Sequence, residues 1–302
     1  MNIKRFAKIL RKYITNSDYR FLLNARIGIY NRMPDKEYLK REFKASMGYE
    51  LDLDNPKTFN EKLQWLKLNC TEPLYTKLVD KYEVKFYVSN KIGAEYIIPT
   101  IGVWEKFEDI DFETLPDLFV LKCTHDSGGV CMITTKDIKK SRKKLERCLK
   151  HNYYYYHREY PYKNVRPRII AEKYIELSAP GCAEYKFFCC DGKVQWVMVC
   201  TGIGHTENRT NDGYTRDFVH IPVTFACKNS IEKLEKPAEF EKMVEIAERL
   251  SKGMIQVRID MYLLNRKIYF GEFTFFHDAG TSPFKPEKYD FYFGQFIHLP
   301  KR

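Results

Sequence analysis

Two apolar runs near the C-terminal end carry polar side chains at alternate positions. Arg258 and Asp260 interrupt the run from Ile255 to Met261, and Glu272 and Thr274 interrupt the run from Ile268 to Phe276. Alternate residues of a strand point to one face, so each pair shares a face. With Leu264-Asn265-Arg266 as the turn, the runs make a hairpin that places Asp260 and Glu272 near each other as diagonal neighbours. Two carboxylates that close repel unless a cation lies between them, and a stray carboxylate in an apolar strand is costly. Mg²⁺ prefers few carboxylates plus phosphate oxygens, which this pair offers. The plainer alternative is an exposed strand face whose acids pair with Arg258.

A second group precedes it in the chain. Lys122 ends the apolar strand Leu118–Lys122, and His125-Asp126-Ser127-Gly128-Gly129 follows as a Gly-rich turn before Val130–Ile133. An ammonium beside backbone N–H groups that no Cβ obstructs suits a polyphosphate. The turn is not a Walker A loop, because GxxxxGK[ST] is absent. An ordinary hairpin with an exposed lysine would look the same. The third group is Ala171-Glu172-Lys173-Tyr174-Ile175, where a strand leaves its sheet and its backbone could read a purine edge. By itself it is equally a plain edge strand.

The elements that must position these groups alternate between helix and strand. Residues 1–15 form a basic amphipathic helix, which packs on the domain or lies on an anionic membrane surface. Residues 35–92 read as mainly helical, with starts at Asn55-Pro56-Lys57-Thr58 and near Leu74, a helix end at Asn90 capped by Gly93, and a short strand at Tyr96–Pro99. A helix is expected at 137–150, an aperiodic segment at 151–168 and a strand at 168–175. Asp191-Gly192 joins strands 184–190 and 193–201. Residues 203–217 read as a polar loop, whose His205 and Arg209 are candidates for substrate contact or equally plain surface residues, and residues 237–252 as a helix.

Composition bounds the rest. The chain has 302 residues, 44% of them hydrophobic, which is enough for two or three lobes. It lacks an 18-residue apolar run and a signal-peptide pattern, so a cytoplasmic protein is expected. The nine cysteines include no CxxC, so reduced core thiols are expected. The net charge of +11 favours anionic partners, while no motif supports nucleic acid.

Taken together, the lysine with its Gly-rich turn, Glu-Lys-Tyr-Ile, Arg-x-Asp and Glu-x-Thr resemble the ATP-grasp superfamily. The nearer likeness is to the TupA-like ATP-grasp group of bacterial surface-polysaccharide clusters. It is carried by Asn55–Lys62, Val79–Tyr82, Phe119–Cys123 with Ser127–Gly129, Glu184–Phe187 and Phe270–Phe275, and spans about residues 40–300. The resemblance implies an α+β fold of two α+β lobes around a nucleotide cleft. Residues 1–75 would be a helical segment and 76–302 the ATP-grasp domain, with one lobe and its flap at about 116–178 and the Mg²⁺-binding lobe at 179–302. It implies ATP and Mg²⁺ as cofactors. Lys81 and Lys122 would bind phosphate, Ser127, Gly128 and Gly129 would cover it, and Glu172, Lys173 and Ile175 would hold adenine. Asp260, Glu272 and Thr274 would ligate the metal, with Thr274 where many relatives have Asn. Arg258 would steady the acyl phosphate.

The implied activity is carboxylate–amine ligation through an acyl phosphate, joining an amino acid or amine to a uronate of a surface polysaccharide or its precursor. A glycosyltransferase is the alternative, with Asp52-Leu53-Asp54 or Asp109-Ile110-Asp111 holding a metal. A sugar kinase would use the same ATP site. A silent binding protein of the same shape is opposed by the joint presence of Lys81, Lys122, Asp260 and Glu272.

Overall fold

The computed structural model describes residues 3–126, 131–133, 138–204, 207 and 209–300. Six helices come first: α1 (Ile3–Thr15), α2 (Ser17–Arg26), α3 (Asp35–Met47), α4 (Phe59–Asn69), α5 (Pro73–Val79) and α6 (Glu83–Ile92). Thr58 starts α4 with a capping box: its hydroxyl accepts from Glu61 N, and the Glu61 carboxylate accepts from Thr58 N. The single helix expected from Leu74 to Asn90 is in fact two. Asp80 breaks it, accepting from the N–H groups of Tyr82 and Glu83 and so capping α6. Arg168 holds Asp80 and Glu83 at 2.7 and 2.9 Å, which fixes the turn that carries Lys81.

Next come β1 (Thr100–Trp104), β2 (Phe119–Cys123), β3 (Cys131–Ile133), α7 (Ile138–Leu149), α8 (Tyr154–His157) and β4 (Ile169–Lys173). The strand expected at Tyr96–Pro99 is a 3₁₀ turn, Ala94–Tyr96, and β1 begins after it. The strands form an antiparallel sheet in the order β1-β4-β2-β3. α7 packs on one face, and Phe119, Leu121, Cys123, Leu145, Ile169 and Ala171 make a core of their own.

The remaining strands are β5 (Ala183–Cys190), β6 (Lys193–Thr201), β7 (Thr210–Thr215) and β8 (His220–Ile221); after α9 (Phe240–Ser251) come β9 (Gln256–Leu264), β10 (Lys267–Thr274) and α10 (Lys288–Gly294). They build a second sheet in the order β10-β9-β5-β6-β7-β8. Its core joins α9 to the N-terminal helices and is separate from the first. Two sheets with two cores, preceded by helices, realise the expected α+β architecture. β7 lies inside the segment expected to be a loop. Its polar residues are buried because Asp212 accepts from Ser230 N and Asn211 donates to Phe225 O. α4 and α10 are tied by Asp290, which accepts from Asn60 N and Nδ2. No helix among the described residues is long and apolar enough to cross a membrane. All nine cysteines are free thiols, six of them buried.

Candidate functional site

The β9–β10 hairpin places Asp260 directly opposite Glu272, not diagonally. The reason is a bulge between Phe270 and Glu272 that shifts the register. Gly271 sits in this bulge, where an added Cβ would lie 3.0 Å from Asp260 O. Arg258 and Thr274 are also direct partners.

Asp260 is fully buried. Arg258 donates to both its oxygens, Nε to Oδ1 and Nη2 to Oδ2, each at 2.6 Å, and Lys186 Nζ adds a third bond at 2.6 Å. Burial alone would raise the Asp260 carboxyl, but Arg258 and Lys186 hold it below the ordinary carboxylate range. Arg258 Nη2 also reaches Glu272 Oε1 at 3.4 Å and Thr274 Oγ1 at 3.0 Å. The cation between the two carboxylates is therefore this guanidinium. Arg258 Nη1 donates to His277 Nδ1 at 2.7 Å. Burial, with Arg258 adjacent, brings His277 down to about 4, so it is a neutral acceptor here.

Three lysines converge from different elements: Lys122 from β2, Lys85 from α6 and Lys81 from the turn before it. Glu172, on β4 beside β2, pairs with Lys122 and Lys85, each at 2.5 Å. Burial works to raise the Glu172 carboxyl, and the two lysines bring it down. Lys81 donates to Asp126 O, and burial lowers its pKa against the pull of Glu272. Lys81, Lys85, Lys122 and Glu172 line one cavity of about 20 Å³ with Phe270 and Gly271 of β10. The two sheets meet there. Lys173 and Ile175 lie at the end of β4, where Lys173 N donates to Pro99 O and Ile175 O accepts from Leu177 N. Ser127, Gly128, Gly129 and His205 lie outside the described residues.

Glu272 is the donor left accessible to a divalent cation, because both Asp260 oxygens are taken up by Arg258 and Lys186 and the Thr274 hydroxyl donates to Glu272 Oε1 at 3.0 Å. Asp260, Glu272 and Thr274 offer two carboxylates and a hydroxyl on one face, and Glu272 is half exposed. Among the described residues, no group of three or more His, Cys, Asp or Glu side chains could hold a metal ion. Such an ion would need further oxygens, as a phosphate supplies. The Asp-x-Asp alternatives have another explanation. Asp52 caps a turn by accepting from Asp54 N and Asn55 N, and Asp111 accepts from Glu113 N.

Lys85, Lys186, Glu184 and His277 join the cluster without having been singled out from sequence for this chemistry. Glu184 and Lys186 carried a signal: two charges at alternate positions of a strand otherwise apolar. Lys85 and His277 carried none, because helix-to-sheet packing brings them in.

The family model described as TupA-like ATPgrasp matches residues 61–298. Curated proteins give no match. Among solved structures, the chain is similar to a D-alanine–D-alanine ligase from Bacillus anthracis complexed with ATP, at 19% identity and a TM-score of 0.39 over 65% of this chain and 54% of that one. It is also similar to the Helicobacter pylori D-alanine–D-alanine ligase, at 13% identity and a TM-score of 0.43, over 74% of this chain and 61% of that one. A third is the ATP-grasp ligase PsnB complexed with minimal precursor, Mg and ADP, at 9% identity and a TM-score of 0.38, over 82% of this chain and 64% of that one. The chain thus spans less than two thirds of the length of each.

Proposed function

The chain belongs to the TupA-like ATP-grasp family, and from that premise we propose that it is an ATP-dependent carboxylate–amine ligase working through an acyl phosphate. ATP-grasp family members are ADP-forming ligases that use ATP and Mg²⁺. The observation that carries the reading is the hairpin face on which Arg258, Asp260, Glu272 and Thr274 meet, with Lys81 attracted by Glu272 and Lys122 lining a cavity with Phe270 and Gly271 of the same hairpin.

In this reading Lys81 and Lys122 bind the phosphates, Ser127, Gly128 and Gly129 cover them, and Glu172, Lys173 and Ile175 hold the adenine. Asp260, Glu272 and Thr274 would hold Mg²⁺, with Asp260 giving up a bond from Arg258 or Lys186 to do so, and the ion would offset charge on the transferring phosphoryl group. Arg258 is preorganised by Asp260 and His277, so its Nη2 is aimed at the same face where negative charge develops. Carboxylate attack on the γ-phosphate yields the acyl phosphate and ADP. The amine then attacks the acyl carbon, and the C–O bond to phosphate breaks. Closing the two lobes would keep water from the acyl phosphate. The lobes are assigned to about residues 116–178 and 179–302 of an ATP-grasp domain at 76–302, after a helical segment at 1–75.

The proposed carboxylate is a uronate of a surface polysaccharide or its precursor, and the proposed amine an amino acid or simple amine. We place the reaction in the cytoplasm, at the inner membrane face. Ile9, Leu10 and Ile14 are exposed on basic α1, which suits an anionic bilayer.

The test is thermal stabilisation by Mg²⁺ with a non-hydrolysable ATP analogue. At a hundred times its Kd a ligand stabilises by about 2.7 kcal/mol. The analogue should raise the melting temperature, and Lys122→Ala and Glu272→Ala should each abolish the rise. Stabilisation by a UDP-sugar alone would overturn the ligase reading.

A further inference from the structure

A cavity of about 700 Å³ adjoins this cluster. Its walls are α2 and α3 on one side and the segment from Arg147 to His157 on the other. It touches the cluster at two places. One is Asp126, whose carbonyl oxygen accepts from Lys81; the other is Thr281, which follows the turn carrying His277. α2 and α3 precede the segment matched by the family model, which begins at residue 61.

Two carboxylates on this wall lack what a buried acid requires. Glu42 and Asp126 are 3% and 8% exposed. Glu42 Oε1 is bonded to His157 Nδ1 at 2.8 Å, but Glu42 Oε2 and Asp126 Oδ1 are buried with no hydrogen-bond partner among the described residues. Lys67 acts on Glu42 through space, yet its ammonium is bound to Ala279 O at 2.8 Å. Buried polar atoms are nearly always satisfied, so a donor supplied by a ligand in this cavity would complete both. At the rim, Arg26 and Arg147 are exposed and offer an anion a partner. The volume is in the range of small-molecule sites, which run from about 300 to 1,000 Å³.

We propose that this cavity takes the amine-bearing substrate, with its ammonium toward Glu42 and Asp126 and its own carboxylate toward Arg26 and Arg147. An amino acid meets both requirements. Because Asp126 stands between the cavity and Lys81, the nitrogen is held on the phosphate-binding side, where the acyl group forms. The N-terminal helices thereby complete the substrate site. This assignment rests on the ligase reading above.

The experiment is a melting series with Mg²⁺ and the ATP analogue present throughout. The added probes are a mixture of the common L-amino acids, the same mixture N-acetylated, and glucuronate. The free amino acids should raise the melting temperature by a further 2 °C or so at saturation, and the acetylated mixture should not. Glu42→Gln and His157→Gln should lose that increment and keep the shift caused by the ATP analogue, which also shows that both variants fold. An equal response to the acetylated mixture overturns the assignment, as does no increment from the amino acids. So does an increment that survives Glu42→Gln, or a glucuronate response lost in that variant. An amino-acid increment without any ATP-analogue shift would uphold the cavity as an amine site and count against the ligase reading instead.

Discussion

Replacing Lys186 by Met removes one cation from a buried group of four charges. Its ammonium donates to Asp260 Oδ2 at 2.6 Å and pairs with Glu184 Oε1 at 2.7 Å. Met keeps most of the side-chain volume, so packing changes little and the charge is the main loss. Removing one partner of a buried ion pair costs roughly 3–5 kcal/mol. Asp260 keeps both bonds to Arg258, which puts the expected loss at the low end, about 3 kcal/mol. For a chain of this size each kcal/mol moves the melting temperature by roughly 2–4 °C, so a fall of about 6–12 °C is expected at pH 7.5. The sign of the pH dependence follows from Asp260. Its folded pKa is depressed, so its contribution is present above the unfolded value near about 3.9 and is lost as pH falls through the folded one. Wild type and variant should therefore converge as the buffer is taken below about pH 4. Scanning fluorimetry across a pH series measures both quantities. A fall of less than about 1 °C at pH 7.5, or a gap that widens in acid, would refute the picture of Lys186 as a partner of Asp260.

Two further outcomes are expected. His277 is buried and brought down to about 4, so it contributes stability above its unfolded value near about 6.5 that is lost as pH falls toward 4. His277→Gln should flatten the decline in melting temperature across that window, and an unchanged slope would contradict a neutral buried histidine. Gly271→Ala should lower the urea midpoint by an amount equivalent to about 1–3 kcal/mol, because its Cβ would crowd Asp260 O. It should also weaken ATP-analogue binding by moving Glu272 out of register with Asp260; a neutral variant would show that the bulge can yield.

Hairpins were readable wherever turn chemistry marked them. Asp191-Gly192 closes β5 onto β6, and the Arg-x-Asp and Glu-x-Thr runs form the β9–β10 pair. The facing of Asp260 and Glu272 followed from period two. Their direct pairing did not, because a bulge changes register without changing composition. β7 was hidden for another reason. Thr-Asn-Asp-Gly-Tyr-Thr has no apolar alternation, and its burial is supported by hydrogen bonds from Ser230 and to Phe225, distant in sequence. The break between α5 and α6 was legible in principle, since Asp80 is a good cap, but apolar periodicity masked it. α2 (Ser17–Arg26) is signalled in the sequence by its cap, Asn16, which accepts from Tyr19 N. Lys85 and Glu42 could not be placed from sequence at all. Each acquires its neighbours only when helices dock on a sheet or on one another.

Carboxylate activation is tested most directly by trapping the acyl phosphate with hydroxylamine. The protein would be incubated with Mg²⁺, ATP, hydroxylamine and uronate-containing saccharides, and ADP and hydroxamate measured together. Equal amounts of ADP and hydroxamate, both lost in Arg258→Met and Glu272→Ala, are the expected result. ADP release with a phosphorylated sugar and no hydroxamate would instead make the protein a kinase and contradict the central claim.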